Sequence, residues 1–300
     1  MTTTTMEPAE LSGHPARDGR DRPKRRALRL GHRASASLLL IVTLVVLLPV
    51  ILMVINSVRT SGDIGARPIG LPHPLALGNY GDIATRMGYV RSLLNTLIIA
   101  AGSIVLVIAA GAPAAWVLAR RVRRWTRAAY RLFVAGLTVP VFVVTTPLYL
   151  LMQQLGILDT YFAAILIYAS FNLPFAVFFY VSFLRSSPQE LEEAAALDGC
   201  GPLATFWHVV FPLLRPATAT IVIFVSLAIW NDVVVPLLFL TDDNLKTVTL
   251  SVYSFVGSQG TVSSAELFPA VVLASAPLIV IFLVLQRHII AGITAGMGKR

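Results

Sequence analysis

The sequence predicts an all-α membrane protein with six transmembrane helices, and three observations carry that expectation. Charged residues fill only 13% of the 300 positions, hydrophobic residues 56%, and mean hydropathy is +0.76; soluble domains carry about 25% charge. Six stretches with at most one charge are long enough to cross roughly 30 Å of hydrocarbon, which takes about 20 helical residues. Lys and Arg divide 19 to 5 between the two sides of those stretches, the bias that sets orientation in a bilayer. With no water in the hydrocarbon, backbone groups in such runs must bond internally, so the runs form helices.

Residues 1–33 hold eight Lys and Arg among Thr, Pro and Gly. They are expected to be a disordered cytoplasmic tail that orients the chain and is attracted to anionic lipid. The first span, 34–58, has 25 uncharged residues, too many for a signal peptide of about 7–15 apolar residues, and no A-x-A-like cleavage site follows it. Residues 59–91 form an outer connector rich in Pro and Gly, suited to a lid or a partner-facing loop. The second span is 92–119. The connector 120–131 holds six arginines and returns the chain through the third span, 132–158, and the fourth, 160–184. A loop at 187–212 leads to the fifth span, 217–240. The polar outer loop 241–266 precedes the sixth, 267–286. The spans make one membrane domain, 34–290, followed by a cytoplasmic tail, 291–300. Both termini are expected in the cytoplasm. Prolines 113, 140, 147, 174 and 277 and Asn172 lie inside spans, as kinks or as groups lining a pathway.

Several chemistries find no support. The pI near 10.2 could suggest nucleic acid, but the basic clusters flank apolar runs, as membrane orientation requires. The single cysteine, Cys200, forms no intrachain disulfide, and the five histidines are scattered without ligand spacing. No G-x-x-x-x-G-K-[ST] loop occurs; "GMGKR" at the C-terminus is too short and lacks the hydroxyl residue. Neither a nucleophile–base set nor a resident cofactor is expected, and the chain itself should bind no ATP.

The passage "EEAAALDGCGPLATFWHVVFPLLRP", residues 192–216, is too elaborate for a connector. Ser187, Pro188 and Glu190 have the spacing of a capping box that opens a short helix. Acids at 190, 192 and 193 suit its first turns. Leu191, Ala194 or Ala195, and Asp198 fall on one stripe, where alanines permit close approach of another backbone. Gly199 is a natural stop, Pro202 opens a second helical stretch, and Pro212 and Pro216 bend the chain into the fifth span.

Glu193-Ala194-Ala195, Gly199 four residues later, and, after nine further residues, Val209-x-Phe211-Pro212 resemble the EAA loop of ABC-importer permeases. Val209 and Phe211 stand where that signature has Ile and Leu. "LGNY" (77–80), "LLNTLI" (93–98), "LGILDTY" (155–161), "IWNDVVVPLLFL" (229–240) and "QRHIIAGITAGMGKR" (286–300) are similar to the carbohydrate-uptake branch, the group that includes the second permease of maltose and glycerol-phosphate systems. The resemblance implies a type I importer-permease fold in a prokaryotic cell membrane. It also implies a homologous second permease, a cytoplasmic ATPase dimer holding ATP and Mg, an extracytoplasmic sugar-binding protein and a carbohydrate substrate. Carried over by residue, Glu193 is the docking acid, Gly199 the corner, Ala194 and Ala195 the close-packing face, and Pro212 the end of the ATPase-coupling loop. The tail "TAGMGKR" resembles a second ATPase contact, although its end departs toward Lys299-Arg300.

Asp232, the one acid inside a span, has two readings: it gates the pathway or touches a partner, or it anchors the outer interface with Trp230 marking the boundary. A different class of function, an ion- or proton-coupled secondary transporter, would place ionisable residues deep in paired broken helices. A single off-centre acid and no internal repeat argue against it.

Overall fold

The structure, a computed structural model, describes residues 21–258 and 263–297. The elements are α1 (Asp21–Ser57), α2 (Ser61–Ala66), α3 (Gly78–Arg86), α4 (Tyr89–Arg120), α5 (Arg124–Gly136), α6 (Val141–Gln154), α7 (Tyr161–Ser186), α8 (Glu190–Leu197), α9 (Pro202–Leu213), α10 (Arg215–Asn231), α11 (Val234–Phe239), α12 (Val248–Ser258) and α13 (Ser264–Met297). No strand occurs among the described residues. Among the described residues, four helices are long and apolar enough to cross a bilayer, and up to six spans result if each of two bent pairs counts as one.

The chain divides into two compact units, 1–52 and 53–300. The first contributes the apolar run of α1, whose side chains from Leu38 to Ile51 are largely exposed, as a lipid-facing helix requires. Residues 1–20 of the expected basic tail lie outside the described residues. Residues 21–33 are not a separate tail: they form the first turns of α1, since "KRRALRL" consists of good helix formers. At the other end α13 runs to Met297, and 298–300 lie outside the described residues.

The second unit is organised by α4 and α7, which pack against each other along their lengths. Small residues make that approach possible. Ala112, Ala115, Ala163, Ala164 and Ala176 are buried between the two helices or beside them. A Cβ at Gly102 would lie 2.5 Å from Ile165 Cδ1, so a larger residue there would force the Ile165 side chain to move. Without water to drive apolar surfaces together, such close packing supplies the attraction in a membrane. Around this pair, α10 packs on α13, α4 and α7, and α13 also meets α3.

Two expected spans are broken. The third is two helices, α5 and α6, meeting at 102°. The uncharged run that begins at Leu132 continues a helix that started at Arg124, and "GLTVP" (136–140) turns the chain before α6 descends. The fifth span, expected over 217–240, ends at Asn231, because the Asp232 carboxylate accepts from backbone N–H groups of the next helix. It is preceded by a 69° bend between α9 and α10, where Pro216 opens the new helix.

Prolines within helices strand carbonyls, and side chains repair some of them. Pro277 has no N–H to give Leu273, and the Tyr89 hydroxyl donates to that carbonyl at 2.9 Å. Trp230 does not mark an interface: it is buried, and its indole N–H donates to the Ala274 carbonyl of α13 at 3.0 Å.

Candidate functional site

The α7–α10 connection begins where α7 ends. Ser187 does not cap the following helix; its hydroxyl donates to the Phe183 carbonyl at 3.0 Å and closes α7 instead. α8 therefore opens at Glu190 with no side-chain cap. Glu190, Glu192 and Glu193 in its first turn complement the positive end of the helix dipole.

The other end of α8 is closed by backbone alone. Gly199 N–H donates to the Ala196 carbonyl at 3.1 Å and Cys200 N–H to the Ala195 carbonyl at 2.9 Å, the paired bonds of a Schellman motif. That motif needs a left-handed residue, and Gly199 has φ +82°. A Cβ there would touch nothing within 4 Å, so glycine is required by conformation and not by space.

Gly201 then leads into α9 with Pro202 in its first turn. The helix widens before Pro212: Phe211 N–H bonds the Phe206 carbonyl five residues back, giving a π-turn over Phe206–Val210. A proline at 212 cannot donate to the preceding turn, and such widened turns ease the mismatch. The widening swings Phe206 inward against Trp116, with ring centroids 5.6 Å apart, while Trp207 stays half exposed beside Phe211 at 5.2 Å.

Neighbouring acids on α8 have opposite surroundings. Glu192 is clasped to α4: it accepts from the Trp116 indole N–H at 2.7 Å and from Arg120 Nε at 2.9 Å and Nη2 at 2.8 Å. Arg120 also donates to the Leu184 carbonyl at 2.8 Å. One guanidinium thus joins the ends of α4 and α7 to α8. Glu193 is exposed and forms no ion pair among the described residues. A cavity of about 490 Å³ lies between the clasp and Glu193, with Gln189, Arg121 and Cys200 on its walls. Leu197, 90% exposed, Leu203 and Trp207 leave an apolar rim beside the acid.

The alanines expected on one face part company: Ala195 is buried inside the chain and Ala194 is exposed. Glu193, Ala194, Ala195 and Gly199 all lie on α8 or its cap, and Pro212 lies on α9. Asp232 is elsewhere, beyond the far end of the 17-residue α10, roughly 25 Å of helix away. It accepts from the Tyr168 hydroxyl at 2.8 Å and from Val234 and Val235 N–H at 2.9 and 3.1 Å, which caps α11 and ties it to α7. Glu192 was not singled out from the sequence, because its partners lie more than seventy residues away and no local spacing points to them.

At the opposite end of the helices, the α1–α4 connection is built around Arg59, which is fully buried. Its guanidinium donates to Asp63 Oδ2 at 2.7 Å, Asn56 Oδ1 at 2.9 Å, and the Asp63 and Arg67 carbonyls at 2.9 and 2.6 Å. The bond from Arg59 holds the Asp63 carboxyl well below its usual range, at about 2; burial opposes this and Arg67 adds to it. Nearby, Asn79, Asp82, Arg86 and Glu266 line an open cavity of about 730 Å³.

Residues 108–295 match the family described as binding-protein-dependent transport system inner membrane component. The chain belongs to this family. As a permease component it is 34% identical over 263 residues, 87% of each chain, to the diacetylchitobiose uptake system permease protein NgcG of Streptomyces coelicolor. It is 35% identical over 254 residues to the melibiose/raffinose/stachyose import permease protein MelC of Bacillus subtilis, covering 84% of this chain and 91% of that one. A solved bacterial ABC transporter involved in import of the acidic polysaccharide alginate has the same fold. Its matching chain gives a TM-score of 0.71 at 24% identity, over 87% of this permease and 97% of that chain. The permease is a multi-pass membrane protein and not an enzyme.

Proposed function

We propose that this permease is one of two homologous membrane subunits of an ATP-driven importer that moves a sugar or related carbohydrate into the cytoplasm. Both termini and the α7–α10 connection face the cytoplasm. An ATPase pair, which binds ATP and Mg, docks against the exposed side of α8 and α9. An extracytoplasmic sugar-binding protein delivers the substrate to the opposite face, where the Arg59-centred connection and the cavity at Asp82 and Glu266 lie. The sugar-permease names of the relatives at 34% and 35% identity support the substrate class.

The observation that carries the coupling assignment is the division between Glu192 and Glu193. One acid binds the loop to the span ends through Arg120; the next presents a free charge beside an apolar rim. Interfaces combine these two ingredients, an apolar centre and a polar edge. Switching a transporter from 1:99 to 99:1 between its two facings takes about 5.5 kcal/mol of differential binding. That free energy enters here as a force on α8 and passes through the clasp to α4 and α7. Asp232 acts as the cap that joins α10 to α11 and not as a gate.

The test is reconstitution of the permease with its partner subunits in vesicles. ATP hydrolysis and uptake should both rise when binding protein and an oligosaccharide are added together. Uptake driven by a proton or sodium gradient in vesicles lacking the ATPase would instead establish a secondary transporter.

A further inference from the structure

The arginine-rich connector 120–131, expected only to orient the chain, forms most of an amphipathic helix with its own surface. At 100° per residue, Arg124, Arg127 and Arg131 share one face of α5. Thr126, Ala129 and Phe133 share another, and Trp125 and Leu132 lie on the flank between them. The second face is the packed one: Thr126 is buried, α5 lies on α7, and Gly136 approaches Pro174 so closely that a Cβ would sit 3.2 Å from its ring. The other two surfaces are open. Trp125 is 54% and Leu132 74% exposed, and Arg121, Arg123, Arg124, Arg127 and Arg131 are all exposed. None of these five arginines forms an ion pair among the described residues, whereas Arg120 pairs with Glu192 and Arg185 sits over the Tyr130 ring at 4.8 Å.

α5 packs along the second half of α7, with Arg185 over the Tyr130 ring and Gly136 against Pro174, so its arginine-bearing first turns lie at the end of that span, where the bilayer surface falls. An aromatic and a leucine on one side of α5, with cations on the other, match the two layers of the interface: acyl-chain boundary and headgroup phosphates. A row of unpaired arginines at that depth attracts negative headgroups, and arginine binds phosphate through two parallel N–H donors.

We propose that α5 is an anionic-lipid docking helix: Arg124, Arg127 and Arg131 bind headgroup phosphates while Trp125 and Leu132 enter the acyl boundary beside them. The occupant is a phospholipid of net negative charge, because a neutral headgroup would leave the arginine face uncompensated. The site fixes the outer edge of α7, and with it the Arg120–Glu192 clasp, against the bilayer surface. The inference goes beyond the transport reading and does not depend on it.

The experiment uses the full chain in nanodiscs of phosphatidylcholine with phosphatidylglycerol, with brominated acyl chains on one lipid or the other. Bromine quenches a tryptophan that it touches, and subtracting the signal of Trp125→Phe isolates Trp125. Both leaflets carry the same lipid, so the outcome is independent of orientation. Brominated phosphatidylglycerol should quench Trp125 as if preferred at least about fivefold, roughly the contribution of one arginine at a charged surface. The triple variant Arg124→Gln, Arg127→Gln, Arg131→Gln should reduce the preference to about one, and the corresponding triple Lys variant should retain most of it. Because these side chains are exposed, all variants should keep the wild-type helical content. Equal quenching by the two lipids in the wild type, or a preference that survives the Gln triple, overturns the proposal. Absence of quenching by either lipid also overturns it, and would assign this face to a protein contact.

Discussion

The two polar connections at opposite ends of the helices solve the same problem in opposite ways. Between α1 and α4, a fully buried arginine satisfies nearly everything around it: Asn56, Asp63 and the carbonyls of Asp63 and Arg67. Between α7 and α10, one arginine clasps Glu192, while Glu193, Leu197, Leu203 and Trp207 are left facing outward. A connection that meets its own needs can be a rigid frame. A connection with an unpaired acid and an apolar rim is complete only against something else. Substitutions in the first should therefore cost folding, and substitutions on the outward side of the second should cost transport without costing folding.

The largest effect is expected at Arg59. Arg59→Ala strands buried acceptors, at about 1–3 kcal/mol for each. Yield and thermal midpoint of the purified permease should drop together; unchanged stability would remove the frame from the comparison. Next is Gly199→Val. Valine at φ +82° costs roughly 1–3 kcal/mol and opens the α8–α9 corner, so membrane insertion should persist while uptake falls more than about tenfold. Full uptake from a normally inserted variant would refute the role of that corner.

Those two sites differ in how far they can be read from the chain. Gly199 was legible because a helix stop after "EAAALD" calls for a residue with φ above zero, and glycine adopts it freely. The six apolar runs were legible for an equally local reason: length and charge suffice to specify a span. Apart from the tail at 21–33, whose helix formers continue α1, the failures are non-local. Ser187 has the spacing of a cap, but the Phe183 carbonyl of the preceding helix takes its hydroxyl. Glu192 resembles the acids on either side of it until Trp116 and Arg120 come into reach. Trp230 reads as an interface residue until α13 offers the Ala274 carbonyl. The α5–α6 bend was hidden because uncharged length cannot show direction; the arginines that continue only one face of α5 were the available signal.

Glu193→Lys sharpens the contrast within α8. Since Glu193 is exposed and without an ion pair among the described residues, stability should change by no more than about 0.5 kcal/mol. Uptake should fall at least about tenfold. A stability loss as large as that of Arg59→Ala would show that Glu193 belongs to the frame.

A smaller effect is expected from pH. The folded carboxyl of Asp63, at about 2, lies below its ordinary 3.8, so its contribution is fully present above 3.8 and is lost as pH falls toward 2. The thermal midpoint of the wild type should be level near neutrality and decline in that acid window, and Asp63→Asn should show a shallower decline. Identical acid profiles would detach Asp63 from the stability of the connection. The smallest change is expected from Asp232→Asn, which keeps an oxygen to cap α11; uptake should remain within a few-fold of wild type. Complete loss of uptake with normal assembly would give Asp232 a gating role.

The outward face of α8 and α9, proposed to be covered by an ATPase, has a native reporter. Cys200, the sole cysteine of the chain, is exposed at the corner between the two helices. Its alkylation rate by a small maleimide can be measured in detergent, where both sides of the protein are accessible, with and without the assembled ATPase subunits. Labelling of the permease alone should be rapid and labelling of the assembled complex at least about tenfold slower, with protection weakened by Glu193→Lys. Equal rates in the permease alone and in a complex verified to contain the ATPase would contradict it.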